Sequence, residues 1–227
     1  NYKDLLKNIN ITISPDDKIA LLGDNELAKT TLLKIITGLE KPDSGEVKKG
    51  STVKISYFAK NHDEYFNNDL SLIEWLQNYS SNKEESFVRG FLGRMLFSKE
   101  EALKKVKVLS GGEKVRVMFS KMMLEKGNVL VLDEPTNHLD LESITALNNG
   151  LIRTKAEVVF VSHDHEFIQT IANRIIEVTE DGIKDYRMTY DEYLKSMDIK
   201  ELYSAYNKYS KYCSDKTSAH NNAITRY

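Results

Sequence analysis

The stretch Ile19-Ala20-Leu21-Leu22-Gly23-Asp24-Asn25-Glu26-Leu27-Ala28-Lys29-Thr30-Thr31 runs from an apolar strand pattern into a glycine-led loop, and Leu32, Leu33, Ile35 and Ile36 carry it on at helical spacing. Strand, loop and helix in that order are the setting of a phosphate loop. In such a loop backbone N–H groups and a helix N-terminus face the phosphates, a lysine ammonium reaches the outer ones, and a threonine hydroxyl helps hold Mg²⁺. Lys29 and Thr30 suit the last two roles, with Gly23, Asn25 and Thr31 completing the candidate phosphate-binding set. The glycine expected just before the lysine is Ala28, and a Cβ where the backbone wants positive φ costs on the order of 1 kcal/mol. Taken alone, the loop reads equally as an ordinary turn between strand and helix with Lys29 solvated.

Outward from this loop, short β-branched runs alternate with helical patterns, which predicts a layered α/β domain with a largely parallel sheet. Strands are expected at Ile9–Ile13, Lys18–Leu22, Lys54–Phe58, Asn128–Leu132 and Glu157–Val161. Between Asn61 and Gly127 the β pattern vanishes, and Leu72–Tyr79, Glu84–Leu96 and Lys99–Leu103 read as helices. The expected organisation is an α/β core from residues 1–60 and 128–195, a helical insertion at 61–127, and a Tyr- and Lys-rich tail at 196–227. In the tail, Tyr203, Tyr206, Tyr209 and Tyr212 with Lys208, Lys211 and Lys216 read as an amphipathic helix packing on a neighbour, or as an RNA-stacking surface.

Composition bounds the function. The 227 residues hold 32 Lys plus Arg against 34 Asp plus Glu, a formal charge of −2, and 41% apolar residues, enough for a real core and against intrinsic disorder. The near balance argues against a broad non-specific RNA-binding face, though not against a local basic patch. Cys213 has no partner, which excludes a disulfide scaffold and suits a reducing, cytoplasmic setting. Apolar runs such as Val129–Leu132 fall far short of the roughly 18 to 20 residues that cross a bilayer, so no membrane insertion is expected. The chain opens at Asn1 within a few residues of the first strand pattern, which suggests a piece of something longer.

Two further motifs strengthen the phosphate reading. Val129-Leu130-Val131-Leu132-Asp133-Glu134 is an apolar strand ending in two acids. A buried strand delivers Asp133 to the carboxyl edge of the sheet, where it can hold Mg²⁺ through water, and Glu134 can polarise an attacking water as general base. Leu109-Ser110-Gly111-Gly112-Glu113 precedes a helical pattern, and Ser110 with Glu113 forms a capping box. A serine and two glycines at a positive helix end make a second anion site. Further along, Ser162-His163-Asp164 closes the next strand, from whose edge His163 can reach a γ-phosphate. His138 and His165 are expected to be structural or orienting groups.

The ordered series of Gly23–Thr31, LSGGE at 109–113, LVLDEPTNHLD at 130–140 and SHD at 162–164 resembles an ATP-binding cassette (ABC) domain over residues 2–195. Thr136-Asn137-His138-Leu139-Asp140, with Gly93-Arg94-Met95-Leu96-Phe97 upstream, resembles the ABC-F family. Asn68-Asp69-Leu70 through Glu74-Trp75, Leu147-Asn148 and Thr189–Leu194 look like its second, C-terminal cassette, in the branch related to the translational throttle proteins. The resemblance implies two cassettes closing head to tail, each ATP held between one phosphate loop and the other cassette's signature, here Ser110, Gly111, Gly112 and Glu113. It implies catalysis by Glu134 and His163, an adenine stacked on Tyr2, Mg²⁺ at Thr30 and Asp133, and action on the ribosome in translation regulation or antibiotic resistance. The rival reading is the ATPase subunit of an ABC membrane transporter.

Three residues depart from the family pattern. Glu26 stands where such cassettes carry another glycine, Ala28 replaces the glycine before the lysine, and Lys60 replaces the glutamine that helps coordinate Mg²⁺. A carboxylate beside a polyphosphate is repulsive unless it turns away, and an ammonium can balance it but cannot ligate a metal. The expectation is an asymmetric pair, weak at this chain's own loop while Ser110–Glu113 serves the partner.

Overall fold

The computed structural model describes residues 4–61 and 63–199. Its centre is a six-stranded sheet in the order β2-β3-β4-β1-β5-β6, formed by β1 (Lys18–Leu22), β2 (Ile55–Phe58), β3 (Val129–Asp133), β4 (Glu157–Val161), β5 (Arg174–Thr179) and β6 (Gly182–Tyr186). The first five are mutually parallel, and β6 adds an antiparallel edge through a tight hairpin with β5. Burial on both faces is what the near-continuous apolar runs of β1, β3 and β4 require of a parallel sheet. One face carries Ile19, Leu21, Val131, Val159, Val161 and Ile176 against Leu32 and Leu33 of α1 (Glu26–Thr37). The other carries Ala20, Leu132, Val158, Phe160 and Ile175 into the larger core.

That larger core is shared with the helices inserted between β2 and β3. These are α2 (Leu72–Gln77), α3 (Glu85–Arg94) and α4 (Gly111–Glu125), with short 3₁₀ turns between them. Trp75 is its anchor: the ring stacks on Phe66 at 5.2 Å, and the indole N–H donates to the Tyr65 carbonyl at 2.9 Å. Phe58 on β2 stacks on Phe119 of α4 at 4.8 Å, which ties the helical insertion to the sheet. Two more helices, α5 (Leu141–Arg153) and α6 (His165–Ile171), follow β3 and β4, capped by the side chains of Asp140 and Asp164. Residues 190–199 are helical up to the limit of the described residues. Tyr203, Tyr206, Tyr209, Tyr212 and Cys213 lie outside the described residues.

Three expectations need correction. Residues 9–13 form no strand: Ile9, Ile11 and Ile13 pack half-buried against the α1-side core, so their alternation reflects one-sided burial without a ladder partner. Lys99–Leu103 is not an α-helix, and only Glu101–Leu103 makes a 3₁₀ turn, closed by Ser98 and Glu101. The third concerns the phosphate loop: neither Glu26 nor Ala28 is among the residues with positive φ. Both lie inside α1, which winds from Glu26 because Glu, Leu, Ala and Lys are good helix formers where glycine would cost about 1 kcal/mol. The departures from glycine therefore extend the helix rather than strain the loop.

The candidate nucleotide site

Register places the candidate residues together. Phe58 pairs with Leu132, and Asp133 with Val161, so Lys60, Asp133-Glu134 and Ser162-His163 leave their strands at one edge of the sheet. β1 pairs with β4 and delivers Gly23 to the same edge, the carboxyl end where ligands of open α/β sheets bind. Gly23 has φ +137°, and a Cβ there would overlap the carbonyl oxygen of Val178, so only glycine lets the loop leave β1 this close to β5.

At the start of α1, Asn25 is the N-cap, and its Oδ1 accepts the Ala28 N–H at 3.1 Å. The Lys29 side chain is only 5% exposed, and its ammonium meets Oε1 of Glu26 at 2.5 Å. The same oxygen lies 3.3 Å from Nε2 of His163, while Lys60 approaches Oε2 at 3.7 Å. Burial alone would raise the Glu26 carboxyl, but the Lys29 contact, then His163 and Lys60, hold it below the ordinary carboxylate range. Glu26 is thus the hub on which Lys29, Lys60 and His163 converge.

Beside it, Thr30 Oγ1 donates to Asp133 Oδ2 at 2.9 Å, and the other oxygen, Oδ1, is buried with no hydrogen-bond partner among the described residues. Burial pushes the Asp133 carboxyl up, against the Thr30 hydrogen bond and the Lys60 charge. A hydroxyl and a carboxylate with an unused, buried oxygen form a hard-oxygen donor set, which fits Mg²⁺. The Glu134 side chain is 1% exposed. His163 Nε2 sits 3.0 Å from its Oε1, yet neither oxygen has a partner of hydrogen-bond geometry, and burial likewise raises this carboxyl. The Glu134 backbone is left-handed at φ 52°, fastened by its N–H to the Val161 carbonyl at 3.0 Å. Glu26, Glu134 and His163 bring ligand atoms within 4.8 Å of one another, but Lys29 already claims Oε1 of Glu26, which makes the cluster an ion-pair network rather than a metal centre.

The second candidate loop is built differently. Ser110 caps α4, the Glu113 carboxylate returns to the Ser110 N–H at 2.8 Å, and Lys104 holds that carboxylate at 2.7 Å. A Cβ on Gly112 would lie 2.9 Å from the His138 carbonyl oxygen, and one on Gly111 3.3 Å from the His138 side chain, so both glycines admit the loop after β3. Among the described residues no hydrogen bond or ion pair joins 110–113 to 23–31. His165 accepts or donates at 2.8 Å to the Tyr190 hydroxyl and His138 backs the α4 glycines. Tyr2 lies outside the described residues. Sequence reading did not foresee that Asn25 caps its own helix, nor that Arg174 would be buried between Asp17 at 2.6 Å and Asp185 at 2.5 Å, welding the β5–β6 edge to the turn before β1.

A parallel sheet whose strand ends gather a phosphate-loop lysine, a threonine–aspartate pair and a buried glutamate beside a histidine defines a P-loop nucleotide-binding cassette. A family model described as ABC transporter matches residues 6–137, and the chain belongs to this ATP-binding cassette family, whose members take ATP with Mg²⁺ and hydrolyse it. The chain is 58% identical over 206 residues to the ABC transporter ATP-binding protein YkpA of Bacillus subtilis, covering 88% of this chain and 38% of YkpA. It is 42% identical to ABC transporter F family member 5 of Arabidopsis thaliana, covering 87% of this chain and 29% of that protein. The chain therefore spans well under half the length of these relatives. Among solved structures, the dimeric post-hydrolysis ATP-binding cassette MJ0796 bound to ADP and Pi superposes with a TM-score of 0.70 at 22% identity, over 81% of this chain and 90% of that one, which shows the shared fold. No helix among the described residues is long and apolar enough to cross a membrane.

Proposed function

We propose that this chain is one cassette of an ABC-F protein, the second in its full-length polypeptide and of the branch related to the translational throttle proteins, which works in the cytoplasm and closes head to tail on another cassette. The observation that carries the catalytic part is the Thr30–Asp133 hydrogen bond, with the orphaned Asp133 oxygen and the buried Glu134 next to it. Thr30 and Asp133 would hold Mg²⁺, which would supply neutralisation of phosphate charge. Lys29 and the loop from Gly23 through Asn25 to Thr31 bind the phosphates, and Tyr2 stacks on the adenine. Glu134 orients the attacking water and takes its proton, a role open to it because neither of its buried carboxylate oxygens has a hydrogen-bond partner among the described residues. His163 faces the terminal phosphate. Lys60 stands in for the usual glutamine as a charge, not a ligand. Ser110, Gly111, Gly112 and Glu113 contact the ATP of the partner cassette.

Residues 1–60 and 128–195 act as the nucleotide core, 61–127 as the helical arm that carries the signature, and 196–227 as an appended tail. A ribosomal site of action, in translation regulation or antibiotic resistance, is what the ABC-F resemblance implies, and the relatives named F family members support the ABC-F assignment on which it rests. Pelleting the chain through a sucrose cushion with ribosomes, with and without ATP, tests this, and co-purification with a membrane protein instead marks a transporter subunit. Hydrolysis assigned to this site requires Glu134→Gln to abolish phosphate release; undiminished release removes Glu134 from the role.

A further inference from the structure

In a phosphate loop the lysine is aimed at the β- and γ-phosphates, and the cassette reading above sets His163 at the terminal one. In this chain both already grip an anion. Lys29 and His163 converge on a single oxygen of Glu26 at 2.5 and 3.3 Å, with Lys60 on the other oxygen at 3.7 Å. The Lys29 side chain is 5% exposed, so its ammonium has no solvated alternative to that partner. The carboxylate also sits in the first turn of α1, where the helix dipole favours negative charge. A carboxylate pinned by Lys29 and His163 of a polyphosphate site has the negative charge and the partners of a phosphate.

We infer that Glu26 is a built-in substitute for the terminal phosphate, so that this site selects a nucleoside diphosphate over the triphosphate. The inference rests on the cassette reading above and specifies which ligand that site prefers. A diphosphate leaves the Glu26 network standing and lays its own charge beside it. A triphosphate must evict the carboxylate from Lys29 and His163 or share those partners with it at close range. Glu26 is thereby a specificity-determining residue, and the cassette is geared to hold product rather than substrate at its own loop.

The test is isothermal titration of the 227-residue chain with Mg-ADP and with Mg²⁺ plus a non-hydrolysable ATP analogue, for wild type, Glu26→Gln and Glu26→Gly. Wild type is expected to bind the diphosphate at least about tenfold more tightly. Glu26→Gln, which keeps the shape and removes the charge, is expected to bring the ratio within about twofold through tighter triphosphate binding, and Glu26→Gly to take it past parity. Thermal unfolding of each variant verifies that it is folded. A ratio unchanged between wild type and Glu26→Gln, or wild type preferring the triphosphate, overturns the inference and leaves the cassette reading in place. Failure of every folded variant to bind either nucleotide overturns both.

Discussion

The starts of α1 and α4 are the same device with opposite outcomes. Each helix begins on a polar N-cap, Asn25 or Ser110, whose side chain accepts an N–H from the first turn. Each also has a glutamate in that turn. In α4 it is the third residue, Glu113, and it folds back onto its own N-cap and Lys104, leaving Gly111 and Gly112 as bare backbone at the helix end. In α1 it is the first residue, Glu26, and it reaches forward to Lys29, His163 and Lys60. A shift of two positions along a turn decides whether the acid completes the helix or competes for the ligand. Geometry explains why: the third residue of a capping box can return to the cap, while the first meets the residue one turn on, here Lys29.

The contrast can be pressed experimentally. Its largest expected effect is on chemistry: in a chain whose loop glycines are restored by Glu26→Gly/Ala28→Gly, adding Glu134→Gln should lower steady-state ATP hydrolysis by about 10²- to 10⁴-fold. Equal turnover with and without Glu134→Gln would show that the rebuilt α1 site is not where hydrolysis happens. Next comes packing at the other helix. Gly112→Val should destabilise the fold by about 1–3 kcal/mol in urea denaturation, because its Cβ meets the backbone of His138. Gly111→Ala should cost less, since its neighbour is a side chain that can give way.

A smaller effect tests the closed acid of α4 by pH. Burial raises the Glu113 carboxyl, but hydrogen bonds from Lys104 and Ser110 outweigh it and leave the group below its ordinary value of 4.5. A depressed folded-state value means stability that is present above the unfolded value and lost as the pH falls through the folded one. Lys104→Met should therefore weaken the protein near neutrality, and the difference from wild type should shrink in urea melts taken progressively below pH 4.5. A difference that stays constant down to that range would assign the loss to the lysine stem's packing instead. Smallest is the pair of caps. Asn25→Ala and Ser110→Ala should each cost about 1 kcal/mol, and a clear inequality would show that Asn25 serves something beyond its helix.

Much of the site was legible because its chemistry is written in short, ordered segments. The strand ending in Asp133 and Glu134, the loop from Gly23 to Thr31 and the SHD at 162–164 each sit at the end of an apolar run, and a parallel sheet brings such ends to one edge. The β5–β6 hairpin had its signal too, the Asp181-Gly182 pair where the turn enters β6, but β5 follows α6 without the alternation that marks a half-exposed strand. The extra strand expected at residues 9–13 failed for the complementary reason: alternation reports one buried face and says nothing of whether the backbone finds a ladder. Ala28 was misjudged as strained because the motif supplies a glycine's φ, while this sequence had already exchanged that loop for a helical turn.

The sequence by itself determined the order of the motifs, the two-sided burial of the sheet and the residues that can bear the chemistry, since all of these depend on residue type and spacing. What Glu26 does was decided only in three dimensions. Its partners come from α1, from beyond β2 and from beyond β4, and the hydrogen-bond register of the parallel strands is what sets Lys60 and His163 beside Lys29. A charge in a sequence has a sign, but its neighbours, and so its energy, exist only once those strands are paired.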